Sequence, residues 1–129
     1  MEEEIKETKY RYGTVNFERR KYPRFNIDLP IEYSRSDLLI NVGKAANASE
    51  EGLLLSLPEP MEIGQYLKVK LFFSGGSEMN IIEMLVQVVW QEIQLREGEG
   101  DYRMGVKFVY ISPEYLEKLK NFISKLSGR

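Results

Sequence analysis

Tyr66-Leu67-Lys68-Val69-Lys70-Leu71-Phe72-Phe73, then Ser74-Gly75-Gly76-Ser77, then the long Ile- and Val-rich stretch from Asn80 to Gln94, decide the fold class. In the first stretch apolar residues alternate with lysines, the period of a strand with one face on a core and the other in solvent. Ser-Gly-Gly-Ser is a turn composition, because glycine takes backbone angles closed to other residues and serine bonds locally. A strand, a short connection and another strand predict antiparallel neighbours.

The same pattern extends in both directions. From Phe25 onward the chain reads as strands: Leu29 to Tyr33, Leu38 to Ala45, and the short Gly52 to Leu57. Pro58 and Pro60 stop the last of these, since proline donates nothing to a ladder. Downstream, Arg96 to Asp101 is a Gly- and Glu-rich loop, and Tyr102 to Tyr110 is the final strand, with Gly105 inside it. A glycine within a strand marks a bulge or a close approach of backbone or ligand. The period then changes. Ser112 is a helix N-cap, Pro113 suits the first helical position and Glu114 favours the dipole. Tyr115, Leu116, Leu119, Phe122, Ile123 and Leu126 repeat as one apolar helical face, with Gly128 as a stop.

About six strands followed by one helix define an all-β chain with a C-terminal helix. Such a set closes into a barrel or packs as a sandwich, because closure removes exposed edges. The expectation is a six-stranded antiparallel β-barrel over residues 17–129, its helix covering one end or flank, preceded by a polar tail over residues 1–16.

Composition narrows function. The chain has 129 residues, 43% hydrophobic and 29% charged, with a net charge of -2. These are the values of one globular domain, and the charge is wrong for a general nucleic-acid coat. With no histidine and no cysteine, the usual general base, the usual zinc ligands and any disulfide framework are absent. Glu50 with Glu51, and Glu97, Glu99 and Asp101, have neither metal-cage nor calcium-loop spacing, and no nucleophile can be paired with a base. The sequence therefore predicts no enzyme, no metal and no cofactor. It shows neither a secretory signal nor a run of about 18 apolar residues, which predicts a cytoplasmic protein without a membrane span.

Charge is distributed unevenly. Residues 9–24 hold Lys9, Arg11, Arg19, Arg20, Lys21 and Arg24 against only Glu18, a local charge of +5 in a nearly neutral chain. A local cluster suits a small anion better than a long polyanion. Pro23 holds Arg20-Lys21-Tyr22-Pro23-Arg24 out of helix, so Arg20 and Arg24 can clasp one ligand from two sides. The arginine fork matches the O6 and N7 edge of guanine, or two phosphate oxygens. The same run also reads as solvated surface. Asn47-Ala48-Ser49-Glu50-Glu51-Gly52 lies between two predicted strands, and its short polar side chains favour a turn. Gly52 would supply a positive φ or let a ligand approach the backbone.

Together the motifs resemble the PilZ domain family, whose pattern is Arg-x-x-x-Arg, then Asp/Asn-x-Ser-x-x-Gly about twenty residues later. Tyr102-Arg103-Met104-Gly105-Val106-Lys107-Phe108 is similar to the family's last strand. The resemblance covers roughly residues 17 to 126 and implies a six-stranded barrel that binds cyclic di-GMP. It further implies that Arg20 and Arg24 contact guanine edges and phosphates, that Asn47 and Ser49 hydrogen-bond the ligand, and that Gly52 shapes the turn. Arg19 matches an extra arginine of many members. Trp90, the only tryptophan, would stack on a guanine face, or else is a wall residue without a ligand role. Arg103 and Lys107 either add positive potential or form a solvated strand face. The expected function is a receptor acting in trans on an effector protein through ordering of its Arg-rich segment. The alternatives are a ligand-independent interaction module of the same fold and a small barrel for single-stranded nucleic acid.

Overall fold

The computed structural model describes residues 23–35, 39–96 and 99–126. Six strands and one helix follow in chain order: β1 (Phe25–Ser34), β2 (Asn41–Ala48), β3 (Gly52–Leu57), β4 (Tyr66–Gly75), β5 (Glu78–Arg96), β6 (Glu99–Tyr110) and α1 (Pro113–Leu126). All neighbouring strands are antiparallel, and the order β1-β2-β3-β6-β5-β4 closes on itself as a barrel.

The period of two decides what fills it. Leu67, Val69, Leu71 and Phe73 of β4 point inward, as do Ile82, Met84, Val86 and Val88 of β5, and all are buried. The lysines between the β4 residues point out. Gly76 and Ser77 connect the two strands, with Gly76 at φ 67°. A glycine with positive φ at the first of two turn residues matches the right-handed twist of a hairpin. α1 caps one end of the core: Leu119 and Ile123 are buried in it, and the rings of Phe122 and Phe73 are 4.5 Å apart. Ser112 caps the helix, its Oγ accepting the Tyr115 N–H at 3.2 Å.

The structure corrects three boundaries. β2 starts at Asn41, not Leu38; Leu39 and Ile40 lie outside the ladder and are exposed, so a continuous apolar run was not a continuous strand. β2 also runs on to Ala48, because an extra residue, Ala46, is accommodated between the pairs Ala45↔Leu55 and Asn47↔Leu54. Arg96 to Asp101 is not wholly loop. β5 and β6 pair out to Arg96↔Glu99, so backbone pairing overrides the weak strand preference of Gly and Glu. Residues 1–16 and Gly128 lie outside the described residues.

β1 has an irregularity of its own. Asn26 pairs with Asn47 and Leu29 with Ala45, so three steps on β1 meet two on β2. Asp28 absorbs the difference at φ 53°, a left-handed conformation that Asp tolerates, and its carboxylate pairs with Lys44 at 3.1 Å. β1 meets β4 only from Ile31↔Leu71 to Ser34↔Lys68, so Phe25 to Pro30 is laddered to β2 alone.

The β3–β4 connection is fastened to β5 by amide side chains. Gln91 Oε1 accepts the Met61 N–H at 2.7 Å, and Gln91 Nε2 donates to the Met61 carbonyl at 2.9 Å, as a neighbouring strand would. Gln87 Nε2 donates to the Gly64 carbonyl at 3.1 Å. Nearby, Tyr33 donates to Glu59 Oε2 at 2.7 Å, and Arg35 holds the other oxygen of that carboxylate. Burial, then the Glu59 carboxylate, push the Tyr33 phenol far above its ordinary range, so it stays a neutral donor. Gln91→Ala orphans both polar groups of the buried Met61 backbone. Its expected cost is about 1–3 kcal/mol, read as a lower urea midpoint at unchanged slope.

Candidate functional site

The barrel's registers bring distant parts of the chain to one corner. Phe25 pairs with Ala48 and Asn26 with Asn47, so Arg24, one residue ahead, arrives beside the turn that begins at Ser49. Gly52 opens β3 opposite Lys107 of β6. On the far side of β6, Trp90 of β5 pairs with Gly105. A cleft of about 130 Å³ results, lined by Arg24, Asn47, Ser49, Glu51, Gly52, Val89, Trp90, Gly105 and Lys107 together with adjacent backbone.

The turn is rigid for identifiable reasons. The Ser49 N–H donates to the Gly52 carbonyl at 3.0 Å, and the Glu51 N–H donates to Ser49 Oγ at 3.1 Å. The Phe108 N–H donates to the Glu51 carbonyl at 2.9 Å, which prolongs the β3–β6 ladder into the turn. Ser49 is buried, and with one lone pair engaged by Glu51 it still has its hydrogen and a second lone pair to offer. Asn47 is half-buried at the end of β2, placed there by the Ala46 bulge.

Gly52 does not have the positive φ offered for it as one reading of the sequence. Among the described residues the glycines with positive φ are Gly64 and Gly76. A β-carbon on Gly52 would fall 2.0 Å from the Val106 carbonyl oxygen and 3.0 Å from Lys107 Cα. The β6 backbone presses on this residue and leaves no room for a β-carbon, which holds the turn against the wall.

Trp90 owes its place to a second bulge. Val88 pairs with Val106 and Trp90 with Gly105, leaving Val89 as the extra residue. Without it Trp90 would continue the inward set of Val86 and Val88; with it both Val89 and Trp90 face out. The glycine inside the final strand signals a bulge or a close approach, and both occur here, but the extra residue is Val89 on the facing strand, which sequence reading did not place, and Gly105 was not counted in the site.

Electrostatically, Arg24 and Lys107 supply positive charge and Glu51 opposes them. Arg19 and Arg20 lie outside the described residues. At about 130 Å³ the cleft is smaller than the roughly 300–1,000 Å³ of clefts that enclose small molecules. The described residues alone thus enclose less space than a bound small molecule usually fills. A larger cleft of about 520 Å³ runs along Ile40, Lys68, Lys70, Leu85, Tyr110 and Tyr115. Its lysines sit among Glu32 and Glu83, so it lacks the unbalanced donors an anion needs. Among the described residues no group of three or more acidic, His or Cys side chains is placed to hold a metal, and no helix is long and apolar enough to cross a membrane.

A family model described as the PilZ domain matches residues 18–125, and the chain belongs to that family. Solved structures share the fold. The Bacillus subtilis inhibitor of motility MotI/DgrA superposes with a TM-score of 0.71 at 16% identity, over 84% of this chain and 51% of that one. The PilZ domain of Escherichia coli YcgR, solved with c-di-GMP, gives 0.69 at 15% identity, over 85% and 92%. The K. pneumonia MrkH–c-di-GMP complex gives 0.70 at 16%, over 85% and 52%. The chain thus spans about half the length of MotI and MrkH. No curated protein sequence matches it.

Proposed function

We propose that this chain is a non-enzymatic receptor for cyclic di-GMP that signals in trans to an effector protein. The observation that carries the reading is the convergence of Arg24, Asn47, Ser49 and Trp90 on one cleft from the lead-in to β1, from β2, from the β2–β3 turn and from β5. Family membership supports it, as do the c-di-GMP complexes of YcgR and MrkH.

Each residue type has a task an anionic purine dinucleotide sets. Arg24, with Arg20 and Arg19 ahead of it, forks to phosphate oxygens or the guanine O6 and N7 edge. Asn47 and Ser49 supply neutral donors on a fixed turn, and the Trp90 ring stacks on a base. Gly52 holds the turn against β6. Because the described wall is shallow, the ligand is completed on its other side by the arginine-bearing segment, and that segment's ordering is the signal a partner reads. The setting is cytoplasmic, and the ligand is a messenger rather than a cofactor.

Calorimetric titration with cyclic di-GMP tests the reading and gives its stoichiometry. Hydrogen exchange over residues 9–25 should slow with ligand; exchange that does not change would sink the ordering mechanism. A second reading, a ligand-independent protein-interaction module, is favoured by exposed Ile40 and Tyr110 beside the larger cleft. It prevails if the wild type gives neither heat nor a shift in melting temperature with the dinucleotide.

A further inference from the structure

We infer that Gly105 is a positioning residue of the binding cleft, the floor on which the Trp90 indole lies and which fixes that ring for stacking on one ligand base. The inference rests on the receptor reading above and adds to it a residue outside both motifs.

The geometry is specific. A β-carbon built on Gly105 falls 2.2 Å from Trp90 Nε1 and 2.8 Å from both Cδ1 and Cε2. Equal and only slightly longer distances to the two carbons flanking the nitrogen place that point above the ring plane, not beyond its edge. The five-membered ring therefore lies face-on against the β6 backbone, at a separation any side chain would forbid. The Val89 bulge sets this up, because a regular ladder would pair Trp90 with Met104 instead of Gly105. Gly105 itself is buried.

One face of the indole is thereby spent on the strand, and the 37% of the residue that stays exposed borders the same cleft as Arg24 and Asn47. Stacking tolerates any base, since every base has a π-face, so the ring is a platform for one purine while the arginine forks read its edge. A ring free to rotate would have to be ordered as the ligand arrived; one laid on a glycine is placed beforehand.

The atoms nearest the added β-carbon belong to a side chain, so Gly105→Ala displaces the indole and spares the ladder. The test is calorimetry with cyclic di-GMP on wild type, Trp90→Ala, Gly105→Ala and the double variant, with tryptophan emission of each free protein that keeps Trp90. As the chain has a single tryptophan, emission reports this ring alone. Gly105→Ala should shift the emission of the free protein and weaken binding by roughly tenfold, as should Trp90→Ala. With the ring removed, the added methyl group has nothing to displace, so the double variant should bind like Trp90→Ala. Wild-type affinity in Gly105→Ala would overturn the inference and leave the receptor reading standing. So would a double variant clearly weaker than Trp90→Ala, a comparison that still decides if Gly105→Ala alone fails to fold. A wild type that binds no cyclic di-GMP overturns the receptor reading and this inference with it.

Discussion

Arg24→Ala should lower the affinity for cyclic di-GMP by about a hundredfold if the proposed site is right, because charge-assisted bonds to an anion are each worth about 1.5–3 kcal/mol. Arg24 is exposed ahead of β1, so the melting temperature of the free protein should change little. Arg24→Lys keeps the charge but loses the fork, and should recover only part of the affinity. Because the site is open, binding should weaken as salt rises and screens the guanidinium. Calorimetry at two ionic strengths measures all of this. An Arg24→Ala protein with undiminished affinity would remove the cleft from consideration, whatever residues 19 and 20 do.

Gly52→Ala should have the largest effect on stability. Its β-carbon meets the Val106 carbonyl oxygen at 2.0 Å, and a main-chain atom of a central strand cannot swing aside as a side chain does. The pair Gly52↔Lys107 must part, and with it the bond from the Ser49 N–H to the Gly52 carbonyl. Overpacking of this kind costs about 3 kcal/mol, or roughly 10 °C in melting temperature for a domain of this size. Were Gly52 required only by the ligand, the unliganded variant would melt with the wild type. Differential scanning calorimetry without ligand separates the two, and titration of the folded fraction should show binding lost as well.

What could be read from the sequence follows what is local. The β4–β5 hairpin was legible because Leu67 to Leu71 keeps a period of two and Gly76 sits at the turn with a positive φ. The helix was legible because Ser112 and Pro113 open it and its apolar positions recur at helical spacing. The residues that form the bulges were not legible. Ala46 and Val89 each add a residue to one strand beside a residue of the same type, and the register against the partner strand reveals which is extra. Those bulges set where Asn47 and Trp90 stand. The motif spacing thus led to residues that meet at one corner of the molecule, Arg24, Asn47, Ser49 and Gly52, while the reasons for that meeting lie in pairing. Gly52 shows the same limit: its motif was visible, but the pressing carbonyl belongs to a strand more than fifty residues further along the chain.

The short seam between β1 and β4 has a consequence for how strain travels. Phe25 to Pro30, which leads directly from Arg24 into the wall, is zipped along a single flank, and the Asp28 kink interrupts even that zipper. A tug on the arginine end will peel bonds one after another instead of shearing a whole row at once. Phe25, Ile27 and Leu29 of this stretch also pack against the core, so whatever grips Arg24 pulls on the rim of the interior as well as on the zipper.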